Sequence, residues 1–264
     1  MAEDRPQIYL VTPPAFELDI FPQRLAAALD ATDVACVRLA LATKDEDMIG
    51  RAADACRTVT MERDVALVIE NHLLLVERHG LDGVHLSDGA KQIRYARKEL
   101  GSDAIVGAYC GASRHEGMTA GEAGADYVCL GPIGESPLFT GERAEFDVFE
   151  WWSDVIEVPI VAEGALDEAL ITQFAPVTDF FAIGDVATNK LASFEYQAPV
   201  VEVLQPGTYT SVQDYPGRVG LWSIGVPPSG PMDDYAFRLA NRIVGNHESA
   251  AALEYTIIGP KLKF

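Results

Sequence analysis

The sequence predicts an α/β protein, a (β/α)8 TIM barrel, followed by a small and incomplete β-rich segment. Up to about residue 185, eight short apolar or β-branched runs alternate with segments of helical periodicity. Eight such repeats within fewer than 200 residues favour a compact closed barrel. An open doubly wound sheet is the alternative. However, no G-x-G-x-x-G follows the first strand, where "VTPPAFE" stands instead, so a dinucleotide site has no support.

The predicted strands are short, as strands of a buried parallel barrel usually are. In chain order they are "QIYLVT" (7–12), "VACVRLAL" (34–41), "VALVIE" (65–70), "DGVHL" (82–86), "AIVGAY" (104–109), "ADYVCLG" (125–131), "VPIVAEG" (158–164) and "DFFAIGD" (179–185). Segments such as "FPQRLAAALDA" and "EDMIGRAADACRTV" carry the intervening helices. The eighth helix would follow residue 185 in "GDVATNKLASFEYQAPVV". This stretch is poorly periodic, so we expect that helix to be short or missing.

The last part of the chain has different local signals. "VPPSGPMDD" is turn chemistry that leads into an N-cap, and "DDYAFRLANRIVG" predicts an amphipathic helix near residues 233–244, closed by Gly245. We therefore predict a barrel over residues 1–187, a linker over 188–199 and a separate β-rich lobe over 200–264. Without partner strands, that lobe should expose sheet edges and apolar surface.

Composition limits the partners. The net charge is −20, and residues 199–264 account for only −1 of it, so the barrel carries almost all of the negative charge. Nucleic acid and anionic membranes are therefore not expected as partners, since both require basic surface. The four scattered cysteines are consistent with buried free thiols, and the acidic N-terminus lacks a signal-peptide pattern, which predicts a cytoplasmic protein. A homo-oligomer is left open.

In a (β/α)8 barrel, chemistry is located where strands run into the following loops. Arg38 is the sharpest candidate, because a guanidinium inside an apolar run must find an anion. A partner such as Glu70 on the neighbouring strand would make Arg38 structural, whereas a phosphate or carboxylate ligand would make it functional. His85 ends the fourth strand, and a histidine in such a place is often a hydrogen-bonded structural residue. We expect it to position groups or to bind ligand, and not to be the main acid or base.

Three motifs give residues 7–187 a resemblance to the thiamine phosphate synthase/TenI family. "LDGVHLSDG" is similar to the family's DGVHLGQ turn, "AGEAGADYVCLGPIGES" to GADYxxxGPxxxT, and "VPIVAEGAL" to xPxxAxGGI. The resemblance implies a barrel that binds a small phosphorylated heterocycle. The synthases of this family join a pyrimidine diphosphate to a thiazole phosphate with Mg²⁺ and release pyrophosphate. Characterised TenI proteins instead aromatise a thiazole phosphate.

The resemblance also implies a set of site residues. By position these are His85 and Asn71 for catalysis, Arg38, Glu70, Ser113, Ser136, Gly164 and Gly184 for substrate binding, and Glu70 with Asp88 for Mg²⁺. Several family positions are changed. Ala40 aligns with a diphosphate-binding lysine, while Asn71 and Ala90 align with the two metal-binding aspartates. The sequence therefore predicts degenerate synthase motifs, with weak or absent synthase activity, and leaves open whether the barrel is an enzyme.

A second resemblance begins at Val200. "TSVQDYPGRVG", "GVPPSGPMD" and "ANRIVGN…AALE" resemble the first part of the KipA family, which is akin to a carboxyltransferase-type subunit of 5-oxoprolinase and to the second subunit of allophanate hydrolase. A full member of that family is several times longer than this segment. The alternative to a thiamine-related barrel is therefore a non-catalytic accessory protein or a gene-fusion product, in which the KipA-like tail belongs to a carboxyltransferase or 5-oxoprolinase type of protein.

Overall fold

A computed structural model of the chain describes residues 6–135, 142–184, 201–217 and 229–263. The chain divides into two compact units, residues 1–196 and 197–264. Within the first unit, eight parallel strands close into a barrel in sequential order, which confirms the predicted fold class. The strands are β1 (Gln7–Val11), β2 (Val34–Leu39), β3 (Ala66–Glu70), β4 (Gly83–Leu86), β5 (Ile105–Tyr109), β6 (Tyr127–Leu130), β7 (Ile160–Glu163) and β8 (Phe180–Ile183).

Seven helices alternate with these strands. They are α1 (Phe21–Ala31), α2 (Glu46–Met61), α3 (Leu73–His79), α4 (Ile93–Leu100), α5 (Arg114–Glu122), α6 (Phe146–Val155) and α7 (Glu168–Phe174). Side-chain oxygens of Asp45, Ser113 and Asp167 accept hydrogen bonds from backbone N–H groups at the starts of α2, α5 and α7. The predicted short or missing eighth helix falls within residues 185–200, outside the described residues.

The barrel has two hydrophobic layers. The larger one lies between the strands and the helices and includes the fully buried Phe149 and Trp152 of α6. The smaller one fills the barrel interior with inward-facing side chains, namely Tyr9, Cys36, Val68, Tyr127, Cys129, Val161 and Ala182. Gly107 of β5 makes room for the Tyr127 ring, since a Cβ built at Gly107 would lie 1.9 Å from Tyr127 Cζ. This interior layer supports the strand ends from below.

The second unit contains two small antiparallel sheets and one helix. Strand β10 (Tyr209–Gln213) pairs with β11 (Ala252–Thr256), and β12 (Lys261–Lys263) pairs with β9 (Glu202–Gln205). Helix α8 spans Asp234–Ile243 and is capped by Asp233, as the sequence predicts. Among the described residues of this unit, only Phe237 and Asn241 are buried, while large apolar side chains such as Tyr209, Val212, Met232, Ile243 and Ile257 are exposed. No described helix of the chain is long and apolar enough to cross a membrane.

Candidate ligand site at the barrel mouth

Arg38 is the centre of a polar cluster at the carboxyl ends of the strands. Its side chain is 5% exposed and is held in a bidentate ion pair with Glu163 of β7, with Nη2 to Oε1 at 2.5 Å and Nη1 to Oε2 at 3.1 Å. Glu70 of β3 lies on the other side, with Oε2 3.6 Å from Arg38 Nε. One buried cation is therefore shared by two carboxylates that reach it from strands on different sides of the barrel.

The balance of charge at this point is negative. Burial, the largest single effect, would lower the pKa of Arg38, but the charge and hydrogen bonds of Glu163 together with Tyr9 and Cys129 outweigh it, and the pKa of the guanidinium is raised. Burial also raises the pKa of Glu70, and the nearby charge of Glu163 adds to that increase. Glu163 and Glu70 remain 24% and 32% exposed, so both carboxylates can be reached from the barrel mouth.

His85 lies deeper in the barrel than these carboxylates. Arg38 Nη1 is 2.8 Å from His85 Nε2, and because arginine has no acceptor, Nε2 accepts this bond and the ring proton is on Nδ1. Nδ1 then donates to the Tyr127 hydroxyl at 2.9 Å, and Tyr127 shares a 2.6 Å hydrogen bond with Tyr9. Burial, with the charge of Arg38, lowers the pKa of His85 well below its usual range, so the ring is neutral.

Cys129 of β6 completes the contacts of Glu163. Its thiol donates to Glu163 Oε2 at 2.8 Å. Burial and the adjacent Glu163 raise the pKa of the Cys129 thiol well above its usual range, so the sulfur keeps the proton that it donates. Glu163 Oε2 thus accepts from both Arg38 and Cys129, which fixes the orientation of the carboxylate.

Asn71 joins two neighbouring strand ends. It has a left-handed backbone with φ of 59°, its N–H donates to the His85 carbonyl at 2.9 Å, and its Nδ2 donates to Ser87 Oγ at 2.8 Å. Its Oδ1 accepts from the Ser87 backbone N–H at 2.9 Å. These contacts hold the loop after β3 against the loop after β4. Both polar atoms of the Asn71 side chain are hydrogen-bonded to Ser87.

The Mg²⁺ role predicted for Glu70 and Asp88 stays a prediction. Among the described residues, no group of three or more His, Cys, Asp or Glu side chains comes together in an arrangement that could hold a metal ion. Glu70 faces Arg38, and Asp88 Oδ2 accepts from Gln92 Nε2 at 3.0 Å, whereas Asp88 Oδ1 is buried without a partner in the described part of the chain. Mg²⁺ is usually bound by one or two carboxylates together with substrate phosphates and waters, so a site of this kind needs no third protein carboxylate.

The remaining predicted substrate-binding residues have mixed placements. Ser113 Oγ caps α5 by accepting from the Glu116 N–H at 3.2 Å, which gives it a structural use. Gly184 is exposed at the end of β8, and no described residue lies within 4 Å of a Cβ built there. Ser136 lies outside the described residues.

Gly164 forms a tight turn after β7. Its φ is +94°, and a Cβ there would meet Pro132 Cβ at 2.6 Å. The Ile133 N–H donates to the Glu163 carbonyl and the Gly134 N–H to the Gly164 carbonyl, each at 3.0 Å. The loop after β6 therefore lies directly against the turn after β7, and it fixes the backbone from which Glu163 projects.

Sequence patterns did not single out three members of this cluster as ligand-site residues. Tyr9, Tyr127 and Cys129 occur in apolar runs and are indistinguishable there from packing residues, whereas Glu163 stands at the end of the seventh strand and is a candidate by that position. The period of two along each strand is the signal that places them inside the barrel. It could identify their direction, although not their partners on other strands.

The sequence comparisons agree with this architecture. A family model described as thiamine monophosphate synthase matches residues 8–192. The chain belongs to the thiamine monophosphate synthase family. The curated thiamine-phosphate synthase of Rhodospirillum centenum is 44% identical over 163 residues, which are 61% of this chain and 78% of that protein. The solved structure of thiamine phosphate pyrophosphorylase from Pyrococcus furiosus superposes on 71% of this chain and 90% of that protein, with a TM-score of 0.61 and 17% sequence identity. This match shows the shared fold.

The second resemblance is also confirmed. A family model described as carboxyltransferase domain, subdomain A and B, matches residues 224–264. The urea amidolyase of Lachancea kluyveri is 61% identical over 87 residues, which are 33% of this chain. The chain spans about 5% of the length of that relative. This thiamine monophosphate synthase family member thus carries a carboxyltransferase-like segment after its barrel.

Proposed function

We propose that the barrel binds a small phosphorylated heterocycle at its mouth and does not catalyse the synthase condensation at a useful rate. The observation that supports this most directly is the state of Arg38. Its guanidinium is engaged by Glu163 and faces Glu70, so it is not available as a cation for a diphosphate. The proposed chemistry is that of a TenI-like protein, which binds a thiazole phosphate without joining it to a second substrate.

The energetic argument concerns the departing pyrophosphate. A pyrimidine diphosphate brings about three negative charges into an acidic barrel, and these require cations or a metal. Ala40, Asn71 and Ala90 stand where the resemblance places a lysine and two metal ligands. Each missing charge-assisted contact costs roughly 2–4 kcal/mol in the transition state, or about 10²–10³ in rate. Two or three such losses would make the condensation too slow to serve a cell.

The phosphate of the ligand is assigned to the turns after β7 and β8. In barrels of this kind, phosphate is frequently bound by backbone groups of the loops that follow the seventh and eighth strands. Gly164 and Gly184 occupy those positions, and both lack a side chain that would obstruct a ligand. The heterocycle would then lie over the cluster of Arg38, Glu70 and Glu163.

The second candidate is the complete thiamine phosphate synthase reaction. It is favoured by the 44% identity to a curated thiamine-phosphate synthase across most of that protein. For this candidate, Glu70 and Asp88 would have to assemble a Mg²⁺ site only when the diphosphate is bound.

One assay separates the two candidates. The purified full chain is incubated with the pyrimidine diphosphate, the thiazole phosphate and Mg²⁺, and thiamine phosphate is measured against an active synthase as the positive control. We expect no turnover, together with calorimetric binding of the thiazole phosphate alone. Turnover near one per second would establish the synthase candidate, and an absence of both turnover and binding would refute both candidates.

A further inference from the structure

We propose that Glu163 is a specificity-determining residue, a built-in counter-anion that occupies the anion-binding face of Arg38 and excludes a diphosphate from the barrel mouth. This inference rests on the proposed function, because it specifies which charge the ligand presents at that point. It assigns Arg38 as a positioning residue for Glu163 and not as a direct ligand of phosphate.

The first support is that the hydrogen-bond donors of the Arg38 guanidinium are already occupied. A guanidinium binds phosphate or carboxylate through a two-pronged fork, and here both Nη atoms of Arg38 make that fork with the two oxygens of Glu163. Nη1 also reaches His85 Nε2 at 2.8 Å. The remaining nitrogen, Nε, is buried without a hydrogen-bond partner among the described residues and faces Glu70 at 3.6 Å. A diphosphate could therefore bind Arg38 only by displacing Glu163.

The second support is that Glu163 is anchored on its other side as well. Cys129 donates to Oε2, and the backbone around Glu163 is fixed by the Ile133 N–H bond to its carbonyl. Displacing the carboxylate would break its two contacts with Arg38 and its hydrogen bond from Cys129, all in a partly buried place where such contacts are costly to lose. An incoming anion would have to offset this cost before it gained any contact.

The third support is the charge of the exposed edge. Arg38 contributes one positive charge against the two carboxylates of Glu70 and Glu163, so the cluster repels anions when both carboxylates are ionised. The available atoms are hydrogen-bond acceptors, chiefly those of the partly exposed Glu70. The ligand group that faces this cluster is therefore a neutral or cationic N–H donor of the heterocycle, while its phosphate lies elsewhere.

The inference predicts a gain of binding, which a merely structural ion pair would not give. The probe is inorganic pyrophosphate, titrated calorimetrically and by thermal unfolding into the full chain and its variants. Glu163→Ala and Glu163→Gln should bind pyrophosphate at least about tenfold more tightly than the wild type, because a charge-assisted bond becomes available. Pyrophosphate should also raise the Tm of Glu163→Ala by several degrees, through binding to the folded state alone.

Glu145→Ala is the matched control. Glu145 is an exposed carboxylate whose described ion pair, 3.7 Å long, is with the partly exposed Arg143, so the variant changes net charge by the same amount and removes no described ion pair of Arg38. If the Glu163 variants gain no more affinity than Glu145→Ala, the inference is wrong. It is also wrong if the wild type already binds pyrophosphate and Arg38→Met abolishes that binding.

The double variant Glu163→Gln/Arg38→Met adds a further check, since it should lose whatever affinity Glu163→Gln gained. Glu163→Gln keeps the shape of the side chain, so it remains informative if Glu163→Ala does not fold. Failure of the proposed function is recognised separately, by synthase turnover or by a wild type that does not bind thiazole phosphate.

Discussion

At the scale of single residues, Arg38 shows how a strand position acquires its role. Its partner was expected to be either Glu70 on the neighbouring strand or a bound anion. The structure instead places Glu163 of β7 in the bidentate position and Glu70 at 3.6 Å. A closed barrel brings inward-facing side chains of distant strands together across its axis. Glu163, 125 residues away in sequence, therefore lies closer to the Arg38 guanidinium than Glu70 on the neighbouring strand.

His85 provides a prediction about pH at the same scale. In the folded chain its pKa is lowered, whereas in the unfolded chain it takes its usual value of 6.5. Below that pH the His85 ring is protonated in the unfolded chain but stays neutral in the native chain. The contribution of neutral His85 to the free energy of unfolding is therefore fully present above about pH 6.5 and is lost as the pH falls. Relative to His85→Asn, the wild type should lose up to about 1.4 kcal/mol per pH unit below this value.

Chemical unfolding of both proteins between pH 7.5 and 5.5 measures this difference. The raised pKa of Glu70 acts in the opposite direction, since it favours the folded state at low pH, but it is common to both proteins and cancels in the comparison. Equal pH slopes for wild type and His85→Asn would show that the native ring is protonated as readily as the unfolded one.

At the scale of elements, the fifth and sixth strands form one packing unit. Gly107 of β5 and Tyr127 of β6 are paired in the sheet register. The Tyr127 ring fills the space that a Cβ at residue 107 would occupy. Tyr127 in turn accepts from His85, which contacts Arg38. A glycine in one strand thus determines where a polar chain on three other strands can run.

Gly107→Ala tests this unit. The added methyl group would overlap the buried Tyr127 ring, and overpacking of this kind typically destabilises a protein by about 1–3 kcal/mol. Gly184→Ala is the control, because no atom of the described residues lies within 4 Å of a Cβ built at that exposed strand end. Thermal and urea unfolding should show a large loss for Gly107→Ala and a change within about 0.5 kcal/mol for Gly184→Ala. A Gly107→Ala protein as stable as the wild type would contradict the packing described.

At the scale of the whole molecule, the two units differ in charge and in burial. Nearly all of the net charge of −20 belongs to residues 1–198, whereas residues 199–264 are almost neutral. The barrel has a continuous core, while the described part of the second unit leaves most of its large apolar side chains exposed. Low net charge and exposed apolar surface together favour self-association. The domain boundary near residue 199 and the cytoplasmic location remain predictions.

Deletion of residues 200–264 tests the independence of the barrel. We expect residues 1–199 to unfold cooperatively and to elute as a smaller, less self-associated species than the full chain, since the exposed apolar side chains of the second unit are removed. Circular dichroism and size-exclusion chromatography with light scattering measure the two properties. Precipitation of the shortened chain would show that the barrel depends on the segment that was removed.

The sequence by itself determined the eight strands, the family, the place of the candidate site at the strand ends and the helix of the second unit. These follow from local patterns: apolar runs, periodicity, turn residues and short motifs. Only the tertiary structure decided that Arg38 is paired with Glu163, that His85 is a neutral acceptor, and that Cys129, Tyr127 and Tyr9 belong to the same cluster. Such contacts depend on which inward-facing side chains meet across a closed barrel. Strand alternation specifies a direction for each side chain, but the barrel closure selects its partner.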